Sequence, residues 1–194
     1  NPCGEIPLCP YDSYRLQAIN LFSYVEEPFT KEAYFNKEKF IQHVHYAQRM
    51  MDDIIDLEIE KVDAIIDKID RDPEGKEIKR VEKNLWENIK RKTIEGRRTG
   101  LGITAEGDML AALGLQYGSD EAIQFSTEVH KLLAIEAYRN SVKLAKDRGS
   151  FPIFNFEREA NNPFIQRIQE SDPELIEEMK EHGRRNIAIL TIAP

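Results

Sequence analysis

The first five residues, Asn1-Pro2-Cys3-Gly4-Glu5, place a carboxamide, a thiol and a carboxylate on alternate positions. Alternate side chains of an extended segment point to the same side, so Asn1, Cys3 and Glu5 can face one space. A thiol has a weak S–H bond and can supply a thiyl radical, a glutamate can accept a proton from a substrate hydroxyl, and an asparagine hydrogen-bonds without titrating. The spacing therefore suits hydrogen-atom abstraction from a substrate that carries hydroxyl groups.

Two other interpretations of Cys3 stay open at this point. A single cysteine in a turn is commonly a small buried apolar residue or an inert surface thiol. Cys3 and Cys9 are six residues apart and could instead form a dithiol switch, although Pro7 and Pro10 make closure of that disulfide awkward.

The composition is that of a soluble globular chain. Of the 194 residues, 41% are hydrophobic and 32% charged, with a net charge of −8. This charge argues against a general nucleic-acid surface but not against a local basic pocket for a phosphate. No apolar run approaches the roughly 20 residues of a membrane span, and no basic segment is followed by an apolar one, so no secretory signal is expected. Two cysteines make no disulfide framework, so a cytoplasmic location is expected.

The order of elements predicts an α/β protein with a large helical insertion. Apolar residues recur every three or four positions between Lys39 and Ile69, which is typical of one long amphipathic helix. The chain starts without Met and stops at ILTIAP, so we expect a piece of a longer protein. The predicted elements are a buried strand over 17–25, helices over 39–69, 76–95, 104–113, 119–146 and 172–183, and a buried strand over 186–194.

Four segments, in this order, resemble the large subunit of the ribonucleotide reductase family: NPCGEIPL, AINL, RRTGLGITAEGDMLAALGLQYGSDEA and RRNIAILTIAP. The similarity is greatest to the adenosylcobalamin-dependent class II members. The resemblance implies a ten-stranded α/β barrel with a central finger loop, of which this chain is a helix-rich fragment. Residues 1–28 would be the finger loop and a strand, 29–183 a mainly helical part, and 184–194 a barrel strand.

The resemblance also implies a chemistry for the opening segment. Cys3 would carry the thiyl radical, Glu5 would be the general base, and Asn1 would position the substrate hydroxyls. The implied cofactor is adenosylcobalamin, and the implied partners are a ribonucleoside di- or triphosphate, a dithiol reductant such as thioredoxin, and the remainder of the reductase chain. Neither nucleic acid nor membrane is expected as a partner, and oligomerisation stays open.

The sequence departs from the family pattern at one informative position. Family members usually carry a reducing cysteine eleven residues after the radical cysteine, and here Tyr14 stands there. Cys9 is then a possible redox partner. The phosphate loop that follows TIAP in the family would lie beyond Pro194, so this fragment alone is expected to be inactive and to expose apolar helix faces. The alternatives are a class I large subunit that uses a partner-subunit radical, and a non-catalytic helical scaffold.

Other polar groups have simpler interpretations. His43 and His45 diverge on a helix, and the acidic residues that follow them are interpreted as a solvated acidic face, with no metal site expected. RRTGLGI is interpreted as a loop, either a phosphate cradle or a tight turn between helices. Residues 184–186 could contact neighbouring chain or a substrate phosphate, but they are interpreted as solvated polar groups. Three tyrosines near the opening motif are assigned to packing: Tyr11, Tyr14 and Tyr24.

Overall fold

The computed structural model describes residues 8–192, which form four short strands and six helices. Three short strands precede two long helices, after which a further strand and four more helices follow. The strands are β1 (Arg15–Asn20), β2 (Val25–Glu26), β3 (Tyr34–Phe35) and β4 (Thr99–Thr104), and the helices are α1 (Lys37–Arg71), α2 (Lys76–Gly96), α3 (Glu106–Ala112), α4 (Asp120–Arg148), α5 (Pro163–Ser171) and α6 (Pro173–His182).

Strands β1 and β4 pair in parallel, with Arg15 opposite Thr99 and Asn20 opposite Thr104. The last described residues run along the other side of β4, where the Leu101 amide donates to the Ile189 carbonyl at 2.7 Å and the Thr191 amide donates to the Leu101 carbonyl at 3.1 Å. The predicted final strand is therefore present only as a bridge and irregular extended chain. Residues 8–192 form no closed barrel, so the ten-stranded barrel stays a prediction for a longer protein.

The first strand is shorter than predicted, because a 3-10 turn over Leu21–Tyr24 ends it. That turn directs Leu21 and Tyr24 into the core, where both are buried. The prediction of a strand as far as residue 25 was wrong for this reason: the apolar residues are buried from a turn, which periodicity alone does not distinguish from a strand.

The segment RRTGLGI was predicted to be a loop, and this prediction is wrong, because Thr99–Thr104 is strand β4. Its glycines permit close approach of neighbouring chain. A Cβ on Gly102 would lie 2.8 Å from the Thr191 carbonyl oxygen, and one on Gly100 would lie 2.7 Å from a Leu16 methyl group. Glycine in a strand often marks this kind of approach.

Helix α1 supplies the largest apolar face, and its predicted length is confirmed within two residues at each end. The Lys39 amide donates to the Asn36 side chain, which caps the helix. Phe40, Val44 and Met51 are fully buried, and the helix packs against β1, β4, α2 and α4.

Helices α4 and α6 begin within one residue of the predicted positions. Ser119 caps α4 as predicted, and Asp172 caps α6 by accepting from the Leu175 amide, with Pro173 in the first turn. Thr104 does not cap α3; the residue before that helix is Ala105, which adopts a left-handed conformation with φ +60°. Helix α5 was not predicted.

No helix within residues 8–192 is long and apolar enough to cross a membrane.

Helices α1 and α2 carry exposed apolar residues, as expected from the sequence. The exposed apolar side chains are Tyr46, Met50, Ile54 and Leu57 on α1, and Ile78, Val81, Leu85 and Ile94 on α2.

The contact between Gly102 and Thr191 yields a stability prediction. Gly102→Ala should lower the free energy of unfolding by about 1–3 kcal/mol, because the new methyl group overlaps a backbone oxygen. Gly107→Ala is the matched control: it lies within α3 with no atom within 4 Å of the added Cβ, and it should raise the free energy of unfolding by about 0.5–1 kcal/mol. Urea unfolding measures both, and equal effects would contradict the close approach.

Candidate functional site

The predicted catalytic residues Asn1, Cys3 and Glu5 lie outside the described residues. The described chain begins at Leu8 and enters β1 through a turn, in which the Asp12 amide donates to the Cys9 carbonyl at 3.1 Å. Tyr11 takes a left-handed conformation in this turn (φ +66°). The Cys9 side chain is exposed, and its thiol is free.

A buried ion pair joins this turn to Arg98, the residue that directly precedes β4. The Arg98 Nε donates to Asp12 Oδ2 at 2.7 Å, and the side chains are 8% and 6% exposed respectively. The other oxygen of Asp12 accepts from the Ser13 amide at 2.9 Å. The Arg98 guanidinium also lies 5.6 Å from the ring centroid of Tyr14, within the range of a cation–π contact.

Arg15 attaches the next residues to the two long helices. Its side chain is 4% exposed and forms an ion pair with Glu58 of α1. It also donates to the Thr93 hydroxyl of α2 and to the Ser13 carbonyl, both at 3.0 Å. Residues 12–15 are thus held to α1, α2 and β4 at once.

Asp52 is the centre of a buried polar network, and the prediction of a solvated acidic face is wrong for it. Its side chain has no exposure and accepts from Arg97, Arg148 and Arg185 at 2.9, 3.2 and 3.2 Å. The Asn186 side-chain amide donates to it at 3.0 Å. The sequence places Asp52 on the polar side of α1, but its partners come from three distant segments.

The carboxylates of Asp52, Asp53 and Asp56 lie close enough to share a metal ion. Arginine side chains already pair with these carboxylates: Arg148 donates to Asp53 at 2.6 Å, and Arg97 donates to Asp56 at 2.7 Å. These guanidinium groups neutralise the charge that would attract a cation, so the cluster is an ion-pair network.

Burial alone would raise the pKa of Asp52. Hydrogen bonds and positive charge from Arg97 and Arg185 outweigh it, and the pKa of Asp52 lies below its ordinary value. Burial in turn tends to lower the pKa of Arg97, but its hydrogen bonds to Asp56 and Asp52 raise it instead. Both groups are therefore charged at neutral pH.

Arg184 and Asn186 are buried, whereas Arg185 is half-buried, so the interpretation of residues 184–186 as solvated polar groups was wrong for Arg184 and Asn186. Arg184 pairs with Glu159 and donates to the Asn186 and Ile187 carbonyls at 3.0 and 2.8 Å. Its guanidinium lies 5.4 Å from the centroid of the Phe151 ring. Asn186 accepts from Gln48 of α1 and from Ser141 of α4, each at 2.9 Å.

A cavity of about 720 Å³ opens between β4, the segment 187–192 and helices α4 and α5. Arg98, Gly102 and Thr191 line it, together with the Arg184–Glu159 pair. The Thr191 hydroxyl is buried and finds no hydrogen-bond partner among the described residues. A second cavity of about 760 Å³ lies between α3, α4 and α5. The first is the candidate site, since Arg98 connects it to the turn at Asp12.

The histidines diverge as predicted. His43 Nδ1 lies 3.0 Å from the Tyr24 hydroxyl, whereas His45 Nε2 lies 2.8 Å from Glu136 on α4. The packing interpretation holds for Tyr24, whose pKa is raised by burial. It fails for Tyr11, which is 46% exposed.

The Asp52 network predicts a pH-dependent loss of stability. Asp52→Asn should cost about 3–5 kcal/mol at pH 7, because three arginines lose their buried counter-charge. The folded-state pKa is depressed, so this contribution is present above the unfolded-state pKa of about 3.9 and is lost as pH falls through the lower folded-state value. The difference between wild type and variant in urea unfolding should narrow below about pH 4.

Asp53→Asn is the control for this experiment. Asp53 contacts the same Arg148 but is 48% exposed, so its loss should cost no more than about 1 kcal/mol. A difference between wild type and Asp52→Asn that stays constant from pH 7 to pH 3 would contradict the assignment.

Comparison of the sequence with known proteins identifies its family. The ribonucleotide reductase barrel domain matches residues 1–194. A vitamin B12-dependent ribonucleoside-diphosphate reductase of Mycobacterium tuberculosis is 30% identical over 84% of this chain and 19% of its own length. The enzyme of the same name from Thermoplasma acidophilum is 34% identical over 78% of the chain and 16% of its own length.

A ribonucleoside-diphosphate reductase subunit alpha of Chlamydia pneumoniae is 25% identical over the whole chain and 18% of its own length. The chain thus spans less than a fifth of each of these relatives. The match to the family covers every residue from Asn1 to Pro194, and the chain belongs to the ribonucleotide reductase barrel-domain family.

Proposed function

We propose that this chain is the part of a ribonucleotide reductase that carries the radical cysteine, and that the longer protein reduces ribonucleotides to deoxyribonucleotides. The observation that carries the proposal is the family match over residues 1–194, which includes Asn1, Cys3 and Glu5 at the spacing that suits the chemistry. The named activity of the relatives favours a ribonucleoside diphosphate as substrate.

In the proposed reaction, a thiyl radical at Cys3 abstracts the 3′ hydrogen atom of the ribose. Glu5 accepts the proton of the 3′ hydroxyl, and Asn1 holds the substrate hydroxyls through neutral hydrogen bonds. The 2′ hydroxyl takes a proton from a dithiol and leaves as water, and the 2′ carbon receives the second hydrogen of the dithiol, which supplies two electrons and becomes a disulfide. The hydrogen atom then returns from Cys3 to the 3′ carbon, and Glu5 returns its proton to the 3′ oxygen. Exclusion of water protects the radical in such a site.

The source of those electrons is the open step, since Tyr14 stands at the position of the usual cysteine. Cys9 is the other cysteine of the chain, and its thiol is exposed. We therefore propose that the reducing pair of cysteines lies in the remainder of the reductase chain, that the Cys9 thiol attacks the disulfide formed there, and that an external dithiol such as thioredoxin reduces the resulting mixed disulfide of Cys9. This assignment leaves Tyr14 with no part in the redox step.

Dependence on adenosylcobalamin is proposed for the longer protein, because two relatives carry vitamin B12 dependence in their names. The described residues do not fit the whole cofactor. Cavities of about 720 and 760 Å³ are of the size that holds a drug-sized ligand, and adenosylcobalamin is far larger. A cytoplasmic location also belongs to the proposal.

The proposal predicts that Cys3→Ser in the full-length protein forms no deoxyribonucleotide, with adenosylcobalamin, a dithiol and a ribonucleoside diphosphate present. Serine keeps the shape of the side chain but has a much stronger bond to hydrogen, so it cannot form the radical. Product is measured by chromatography in both single and multiple turnovers. Product from Cys3→Ser at the wild-type rate would overturn the radical assignment.

Cys9→Ser separates the two cysteines. It should support one turnover with a pre-reduced enzyme and then stop, because only the return of electrons is blocked. Full multiple turnover in Cys9→Ser would remove Cys9 from the reaction. Full wild-type activity without cobalamin would remove class II, and a wild-type protein inactive under every condition would favour the helical scaffold.

A further inference from the structure

We propose that the second cavity, which lies between α3, α4 and α5, binds a small aromatic anion. In this assignment the ligand ring lies against Phe164, and its negative group lies near Lys131 of α4 and Arg167 of α5. The second cavity shares His130, Ala134 and Phe164 with the lining of the candidate site, so the ligand would lie directly beside that site. The proposal goes beyond the proposed function and concerns binding alone.

The size and the walls of the second cavity suit a small organic molecule. Its volume of about 760 Å³ falls within the range of roughly 300–1,000 Å³ in which proteins hold such ligands. Leu110 of α3, Ala122 of α4 and Ile168 of α5 line it, and each is at most 4% exposed. Because these residues belong to the hydrophobic core, the three helices present a fixed apolar wall to the ligand.

Aromatic side chains lie at two positions of the lining. The Phe164 ring packs against Tyr138 of α4, with ring centroids 5.5 Å apart, and this contact fixes the position of the ring. Tyr117 lies in the turn between α3 and α4 and is 80% exposed. Aromatic rings gain from pairing at centroid distances of about 4.5–7 Å, beyond the burial of their area. An aromatic ligand therefore uses this lining better than an aliphatic ligand of the same size.

The acidic residue Glu106 already has partners within the protein. One of its oxygens accepts from the Ser126 hydroxyl at 2.6 Å and lies 3.3 Å from His130 Nε2. A cationic ligand at this carboxylate would compete with those partners. It would also enter a cavity whose lining carries two permanent positive charges, on Lys131 and Arg167.

Lys131 and Arg167 form no ion pair with any of the residues 8–192. Both side chains are exposed, and the Arg167 guanidinium lies 5.7 Å from the centroid of the Phe164 ring. Glu170, the other charged residue of the lining, is exposed and also forms no ion pair among the described residues. The two cations come from two helices that bound the cavity, so one anionic group can meet both while its ring contacts Phe164.

The test is isothermal titration calorimetry of the full-length protein with three probes of similar size. 2-Naphthoate carries an aromatic ring and a negative charge, 2-naphthylmethylammonium carries the ring and a positive charge, and decahydronaphthalene-2-carboxylate carries the negative charge on a saturated ring. We expect 2-naphthoate to bind with a Kd below about 1 mM. The other two probes should bind at least about 5-fold more weakly, because each lacks one of the two matching features.

Variants locate the probe in the second cavity. Lys131→Gln and Arg167→Gln should each raise the Kd of 2-naphthoate by about 3-fold or more, and the double variant by about 10-fold or more, since each change removes a charged hydrogen-bond donor. Ala134→Phe, which places a ring inside the cavity, should raise it by at least about 10-fold. Lys143→Gln is the matched control: Lys143 is exposed on the same helix but does not line the cavity, and the Kd should stay within about 2-fold of wild type.

Lys131 and Arg167 are exposed, so their variants should unfold in urea at the wild-type midpoint. No binding of 2-naphthoate at about 1 mM would overturn the proposal. Equal affinity for the ammonium probe would overturn the anionic assignment, and equal affinity for the saturated probe would overturn the aromatic one. An unchanged Kd in the double variant would place the probe on another surface and would also overturn the proposal. Each of these outcomes is independent of reductase activity and leaves the proposed function as it stands.

Discussion

The Asp52 carboxylate has no exposure to solvent, and a charge in that position is stable only when opposite charges and hydrogen-bond donors surround it. Its partners come from the end of α2, the end of α4 and the start of the final extended segment. One helix position thus brings three chain segments to the same place. The path of β4 and of residues 187–191 depends on that convergence, since both begin within two residues of a partner of Asp52.

Parts of the fold followed directly from local pattern. Apolar spacing predicted α1 because its core-facing residues recur on one side of the helix, and the caps at Ser119 and Asp172 marked helix starts by known side-chain chemistry. The strand β4 was missed because glycine is a turn signal in isolation. Whether Gly100 and Gly102 turn the chain or admit a neighbour depends on Leu16 and Thr191, which lie far away in the sequence.

Local pattern also fails to predict which charged residues are buried. Asp52 and Asp56 are four residues apart on α1 and look equally solvated in the sequence, yet only Asp52 is fully buried. The two residues differ because Arg148 and Arg185, which lie 96 and 133 residues further along the chain, donate hydrogen bonds to Asp52. By contrast, the predicted catalytic residues at the start of the chain were identified from their residue types and their local spacing alone. Their roles stay predictions, since Asn1, Cys3 and Glu5 lie outside the described residues.

The left-handed conformation of Arg97 (φ +45°) has a consequence for the tandem arginines that follow α2. This single backbone irregularity turns two identical neighbouring side chains toward different partners, one to α1 and the other to Asp12. The pair is therefore not redundant. Inserting or deleting one residue between Gly96 and Thr99 would move at least one of these arginines away from its partner, so the length of this junction is under tighter constraint than the identity of the exposed residues in the helix before it.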